Sequence, residues 1–529
     1  MVYEILLGDE AVALGAVHAG LSGAYSYPGT PATEVMEYLI KASVAGKAFT
    51  ASWSVNEKTA YEEALGVSFA GKRALVAMKH VGLNVAADPF MSSALTGADG
   101  GFVLVVADDP SMHSSQNEQD SRFYARFAQI PCLEPADHQE AYDMTREAFE
   151  LSERWNLPVM MRLATRLSHS RSAITPRTPR APNELRYGPR HRWTLLPVNA
   201  RVQFRRVLDL QPELVRYSES CPFNRLETGS GGGKLGIIAS GIAYNYVREN
   251  LAGTERLPPI LKLSFYPLPE RLIRDLVERV ETVLVAEEGY PLIEGSVKGL
   301  FGVPGKKIIG KLSGDLPLTG ELLPETVRRA LMLGSLETRS VGDFKLAGRP
   351  PQLCAGCPHA DTLKALNAAL EGEDRANVFS DIGCYTLGYF PPHNAVNTCV
   401  CMGASVGMAK GAAEAGVYPS VAVIGDSTFG HSGITPLLSA AAFDTNMVVV
   451  ILDNCTVAMT GGQPSFATGE RLLKIIEGVG VPKEHIRVIE PLPKHHATNI
   501  KILKEEIVHP GISVVVARRA CIQEAKKRI

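Results

Sequence analysis

The residues best placed to do chemistry lie in VAVIGDSTFGHSGITPLLSAAAFDTNMVVVILDNCTVAM, residues 421–459. An apolar run over 421–424 ends in Gly425-Asp426-Ser427, and a second over 447–452 ends in Asp453-Asn454. One carboxylate and one amide oxygen suit a hard divalent cation, and such a cation can also hold a diphosphate. Two parallel strands joined by a helical crossover place Asp426 and Asn454 side by side at the carboxyl edge of a sheet. An ordinary dinucleotide-fold crossover, with Asp426 capping a helix, has the same pattern. The segment alone leaves both readings open.

Other candidate groups are weaker by themselves. Seven of the nine cysteines fall at 354 and beyond, with one C-x-x-C at Cys354 and Cys357. So long a chain is not a disulfide scaffold, and buried cysteines are common. Glu57 opens a helical stretch, where a lone acid is usually solvated. Glu287 and Glu288 end an apolar run and read as a solvated strand end with one inward-bonding acid. GSGGGK, 229–234, lacks the Ser or Thr of a phosphate-binding P-loop and reads as a linker.

The elements that must position these groups follow from periodicity and breakers. Residues 1–167 read as a first α/β domain. Its turn at 28–31 carries two prolines, KRALVAMKH is a strand ending in a basic pair, and GFVLVVADDP is a nearly continuous apolar strand. NLPVMMRLATRLSHS adds a strand whose end carries Arg162, Thr165 and Arg166. Proline-rich, basic sequence makes 168–233 a connector, with some helical character around ARVQFRRVLDLQPEL. A smaller α/β unit spans 234–335 and a third domain spans 350–529.

Composition excludes several classes. The 529 residues are 45% hydrophobic, and 54 basic side chains nearly balance 56 acidic ones. Mean hydropathy is near zero. Nothing here favours nucleic acid or a membrane surface. No apolar run approaches the roughly 18 residues of a membrane span, and no basic leader precedes an apolar stretch, so the expected location is cytoplasmic. No G-x-G-x-x-G follows a strand, which disfavours a nicotinamide dehydrogenase.

Seven short motifs then occur in order: Tyr27-Pro28-Gly29-Thr30-Pro31, Asn56-Glu57-Lys58, Lys79-His80-Val81-Gly82-Leu83-Asn84, Cys354-Ala355-Gly356-Cys357-Pro358-His359, Asp381-Ile382-Gly383-Cys384, Met402-Gly403-Ala404-Ser405 and Gly425-Asp426-Ser427-Thr428-Phe429. Together they resemble the large, thiamine-diphosphate-binding (alpha) subunit of indolepyruvate ferredoxin oxidoreductase, in the 2-oxoacid ferredoxin oxidoreductase superfamily. The resemblance covers almost the whole chain. It implies a multidomain α/β thiamine-diphosphate fold with parallel-sheet pyrimidine (1–167) and diphosphate (350–529) domains and a transketolase C-terminal-like domain (234–335).

The resemblance also implies roles. Glu57 faces the cofactor aminopyrimidine. Asp426 and Asn454 coordinate Mg²⁺ with the backbone carbonyl of Thr456, and Gly425, Ser427 and Gly403, Ala404 and Ser405 approach the diphosphate. Thr30 and Asn84 lie on the substrate side, as do His359 and His431 if they are more than structural histidines. Cys354, Cys357, Cys384 and Cys521 match the positions of [4Fe–4S] ligands near thiamine in other members. Without a local ligand motif, however, buried or redox-idle thiols are the preferred reading. The two four-cysteine runs of the ferredoxin-like module are not found before Ile529.

The expected reaction is oxidative decarboxylation of an aryl 2-oxoacid, such as indolepyruvate, to acyl-CoA. Electrons pass to ferredoxin or another external acceptor. A small second subunit, coenzyme A and a dimer of large subunits are the implied partners. A non-oxidative decarboxylase releasing an aldehyde is the first alternative, and a non-catalytic subunit of a related complex is the second.

Overall fold

The computed structural model describes residues 3–46, 49–186, 188, 190–231, 233–334, 348, 351–373 and 378–527. The chain divides into two compact units, Met1–Ser340 and Val341–Ile529. The domain limits expected at 335 and 350 lie outside the described residues. No helix among the described residues is long and apolar enough to cross a membrane.

In the first unit a seven-stranded sheet runs Phe265–Tyr266, Cys132–Leu133, Val159–Ala164, Phe102–Asp108, Ala74–Lys79, Gly23–Ser26, Thr50–Trp53. All neighbours are parallel except Phe265–Tyr266 with Cys132–Leu133. The unbroken apolar run Phe102–Asp108 is buried at every position, as a central strand covered on both faces must be. Parallel strands deliver their carboxyl ends to one edge. The turns carrying Thr30, Glu57, His80–Asn84, Asp109 and Thr165 therefore share that edge.

A second sheet in this unit runs Lys307–Ile309, Thr282–Ala286, Leu235–Ser240, Ile260–Leu263, Arg225–Glu227, parallel but for the last pair. The chain leaves it at Leu263 and pairs Phe265–Tyr266 with the first sheet, so one backbone stretch joins the two. The expected connector is more ordered than its composition suggests. Arg171–Ile174 pairs with Glu4–Leu7, and Pro197–Ser220 is a helix of 24 residues that contains Pro212. The glycine run is likewise tied down, with Ser230 and Gly231 donating to the Leu257 carbonyl at 2.9 and 2.8 Å.

The second unit is built on five parallel strands, Val378–Ser380, Val421–Gly425, Met447–Asp453, Ile512–Arg518 and Ile486–Ile489. Val421–Gly425 and Met447–Asp453 are direct neighbours, with Gly425 opposite Leu452. The crossover between them is a short helical turn, Asp426–Thr428, a wider turn over Phe429–Gly433, and the helix Ile434–Ala442.

Candidate active site

Adjacent parallel strands bring the turns of Asp426 and Asn454 to one sheet edge, as the two apolar runs imply. Asp426 is buried, and burial pushes its carboxyl up to about 8. Nearby Asp453 adds to the rise, which the backbone N–H groups of Ser427 and Cys455 partly offset. Ser465 is close enough to ease the charge, yet its hydroxyl and Asp426 Oδ2 both lack a hydrogen bond of proper geometry. Asp453 differs: its carboxylate accepts from Gly469 N and Arg518 Nε, both at 3.0 Å, and from the Thr468 hydroxyl. A buried carboxylate oxygen with no donor is costly, and a cation is the group that removes the cost.

Asn454 is held from two sides. Its Oδ1 accepts the Thr456 N–H at 3.1 Å, and its Nδ2 faces His359 Nε2 at 3.3 Å. Burial lowers His359 to about 4, so the imidazole is neutral and serves as an acceptor for the amide. Cys455, between Asn454 and Thr456, sits at φ 65°, a left-handed conformation uncommon for a residue with a side chain. His431 is buried and bonds Ser432 Oγ through Nδ1 at 2.6 Å.

The turn before the helix Ala404–Glu414 is fixed by a residue with no role assigned from sequence. Asp381 accepts the N–H groups of Gly403 (2.9 Å) and Ser405 (3.0 Å), within the segment expected to approach the diphosphate. Gly403 is at φ 90°, and a Cβ there would meet the Ser432 backbone oxygen at 2.6 Å, so only glycine fits. A Cβ on Gly425 would meet the Tyr385 ring at 2.8 Å.

Cys354, Cys357, Cys384 and Cys521, far apart in sequence, line one cavity of about 200 Å³. Its wall also includes His359 and Asn454. Cys521 is tied to this wall because its N–H donates to the Asn454 carbonyl at 3.1 Å. Burial and the neighbouring thiols push Cys384 up to about 12. Among the described residues, no group of three or more His, Cys, Asp or Glu is arranged to hold a single metal ion. The Asp426–Asn454–Thr456 set has one ionisable member, so it falls outside that description.

In the first unit Glu57 opens the helix Glu57–Phe69, whose N-cap Asn56 accepts the Thr59 N–H at 2.8 Å. The Glu57 side chain is buried against Gly82, where a Cβ would lie 2.6 Å from Glu57 Oε1. Burial of this acid at a sheet edge sets it apart from Glu62 and Glu63, which are exposed. Asn84 Oδ1 accepts from Tyr124 OH, and the Thr30 carbonyl accepts from Ser114 Oγ. The structure thus gathers Thr30, Glu57 and Asn84 along one edge of this unit. It gathers Asp426, Asn454, Thr456, His359 and the four cysteines within the other.

Glu287 and Glu288 are not a solvated strand end. Both are fully buried. Glu287 accepts the Ile293 and Glu294 N–H groups at the start of the helix Leu292–Lys298 and pairs with Arg122 at 3.0 Å. Glu288 accepts the Leu322 N–H at 3.1 Å. The strand end is covered by the rest of the unit, which the sequence around it does not reveal.

Two thiamine diphosphate modules match this chain and define its class. Residues 14–192 match the thiamine-diphosphate-binding family of pyruvate flavodoxin/ferredoxin oxidoreductases, and residues 381–515 match the C-terminal binding domain of thiamine pyrophosphate enzymes. A solved 2-oxoglutarate:ferredoxin oxidoreductase from Magnetococcus marinus shares the fold at a TM-score of 0.51 and 18% identity, over 62% of this chain and 65% of that one. The indolepyruvate oxidoreductase subunit IorA of Archaeoglobus fulgidus is 41% identical over 98% of this chain and 86% of its own length. IorA of Methanothermobacter thermautotrophicus is 39% identical with the same coverage. The chain belongs to the family of indolepyruvate oxidoreductase subunit IorA.

Proposed function

We propose that the chain is the thiamine-diphosphate-carrying subunit of an enzyme that oxidatively decarboxylates an aryl 2-oxoacid of the indolepyruvate kind. The products are the acyl-CoA and electrons for an external acceptor such as ferredoxin. The observation that carries the reading is Asp426, a buried carboxylate with an unpartnered oxygen beside Asn454, inside the segment that matches a thiamine pyrophosphate domain. Those two side chains and the Thr456 carbonyl suit Mg²⁺, which prefers oxygen ligands and shares its sphere with substrate phosphates. When bound, thiamine diphosphate supplies the nucleophilic carbon and the electron sink that decarboxylation needs.

The chain's own residues do the rest. His359 positions the Asn454 amide, and Asp381 holds the turn at Gly403–Ser405. Glu57 provides a negative charge for the aminopyrimidine ring nitrogen. Thr30 and Asn84 bound the substrate side, while Cys354, Cys357, Cys384 and Cys521 hold one [4Fe–4S] cluster. Their convergence on one cavity bordering Asn454 supports the last assignment over idle thiols. A small second subunit completes the enzyme in the cytoplasm, within a dimer of large subunits. Exposed Leu300 (89%) and Phe301 (95%) are apolar surface of the kind that partners cover.

The test is anaerobic co-purification with the small subunit, then separate assay of CO₂, acyl-CoA, aldehyde and reduced acceptor. Indolepyruvate and phenylpyruvate should exceed pyruvate in kcat/KM, and about four irons and four sulfides should accompany each large chain. Glu57→Gln should keep cofactor binding while lowering turnover by roughly 10²–10⁴-fold, the usual scale for such proton control. Free aldehyde without acyl-CoA would replace oxidation by simple decarboxylation. Chains free of iron would remove the cluster.

A further inference from the structure

The carboxyl edge of the seven-stranded sheet presents a cation to which the reading above gives no work. Lys79 ends the strand Ala74–Lys79 and is half-buried. Its aliphatic stem lies over Gly29, where a Cβ would be 3.2 Å from both Lys79 Cγ and Cδ. Its ammonium donates to the Ser114 carbonyl at 3.1 Å, and Ser114 Oγ in turn donates to the Thr30 carbonyl at 3.3 Å. Glu57 and Asp109 act on Lys79 through space, but among the described residues no ion pair is formed with it.

The other basic side chains near this edge are committed. Arg162 is locked between Asp108 and Glu134, and Arg166 pairs with Glu321 at 2.6 Å. His80 Nε2 meets the Asn117 carbonyl at 3.0 Å. Lys79 retains two N–H donors, lies between the turns of Thr30 and Asn84, and is backed by the same short helix whose Gly82 seats Glu57. A 2-oxoacid differs from an aldehyde or a simple ketone by its carboxylate, and a half-desolvated ammonium is the group that recognises this difference.

We propose that Lys79 binds the carboxylate of the substrate, with Gly29 leaving room for its stem and Ser114 fixing its ammonium beside Thr30. The proposal rests on the 2-oxoacid reading of this site and adds a substrate-binding residue to it. It makes Lys79 the element that selects acids over uncharged carbonyl compounds.

The test uses the full chain with its co-expressed small subunit, loaded with thiamine diphosphate and Mg²⁺. Titration calorimetry with 3-phenylpropanoate and 3-phenylpropanamide compares a carboxylate with its uncharged isostere. The unsubstituted complex should prefer the acid by at least about tenfold, the scale of one charge-assisted hydrogen bond. Lys79→Met and Lys79→Gln should each reduce that preference to within about twofold, with cofactor affinity unchanged. Lys79→Arg should keep most of it. In turnover, KM for phenylpyruvate should rise more than kcat falls. A preference for the acid retained in either folded neutral variant overturns the assignment, as does a cofactor-loaded wild-type complex that binds neither compound. A wild-type complex that fails to take up thiamine diphosphate sinks the underlying function instead.

Discussion

Two regions bury charge, and they do so in opposite ways. In the first unit Arg122 and Arg162 lie among Asp108, Asp120, Glu134, Glu287 and Glu288, all buried. Arg122 meets Asp120 at 2.5 Å and Glu287 at 3.0 Å, and Arg162 meets Asp108 at 2.7 Å. Tyr266 OH donates to Glu134, and Lys311 donates to the Gly289 carbonyl at 2.6 Å. This network joins the two sheets of the unit, and its acids face buried arginines, although Asp108 Oδ1 itself accepts no hydrogen bond. In the second unit Asp426 has an unpartnered oxygen, and His359 Nδ1 is likewise buried without a partner. Buried acids that face buried arginines are scaffolding, whereas a buried acid at a strand end with no cation beside it, as Asp426 is among the described residues, leaves a place for one.

The largest effect should come from breaking the ion-paired region. Arg162→Met strands Asp108 and Glu134 without their shared cation. Removing one side of a buried pair costs about 3–5 kcal/mol, so chemical denaturation should show a loss of that size. Cofactor affinity per folded molecule should stay within about twofold if the network is only scaffolding. A large loss of affinity with little loss of stability would erase the contrast.

Asp426→Asn should do the reverse. Removing the only carboxylate of the proposed cation set should weaken Mg²⁺–thiamine diphosphate binding by roughly 100-fold or more, about 3 kcal/mol by the scale for charged hydrogen-bonded partners. The unliganded chain should be about as stable at neutral pH, because the Asp426 carboxyl, raised to about 8, is mostly protonated there and the amide replaces one neutral group with another. Fluorescence titration with cofactor and thermal melting of the apo protein read the two effects separately. His359→Ala is the smaller companion. It leaves the ligand set intact and frees the Asn454 amide, for an expected loss of about tenfold.

The contrast also explains what could be read in advance. Strand ends carrying Asp426 and Asn454 are local features, since apolar runs punctuated by Gly-Asp and Asp-Asn announce themselves within a dozen residues. Parallel neighbours then follow from the crossover. The grip of His359 on Asn454, of Asp381 on Gly403 and Ser405, and the packing of Lys79 over Gly29 are tertiary. No spacing in the chain encodes them. Glu287 and Glu288 are hidden from a sequence reading for the same reason: their burial depends on Arg122, far away in sequence, and on the backbone donors of Ile293, Glu294 and Leu322. The helix Pro197–Ser220 is obscured by Pro212 and by the proline-rich stretch before it, although its buried face packs through Val207 and Leu214.

The finest test of the contrast is a proton count. An acid whose carboxyl is raised to about 8 in the folded apo chain still carries its proton there at pH 6, while in the unfolded chain it has lost it. The contribution of Asp426 to apo stability is therefore fully present below the unfolded value near 4 and is lost as pH rises toward 8. Cation binding requires the ionised form, so loading the site at pH 6 must release that proton. Calorimetry of Mg²⁺–thiamine diphosphate binding in buffers of different ionisation enthalpy should show about one proton released per chain at pH 6. The release should vanish above pH ~8, and affinity should rise up to about tenfold per pH unit between these limits. Asp426→Asn should remove that proton and flatten the pH dependence. Arg162→Met, if it folds, should leave both untouched. Equal release from the Asp426→Asn chain would mean that the titrating group lies elsewhere, and that the unpartnered oxygen is not where the cation binds.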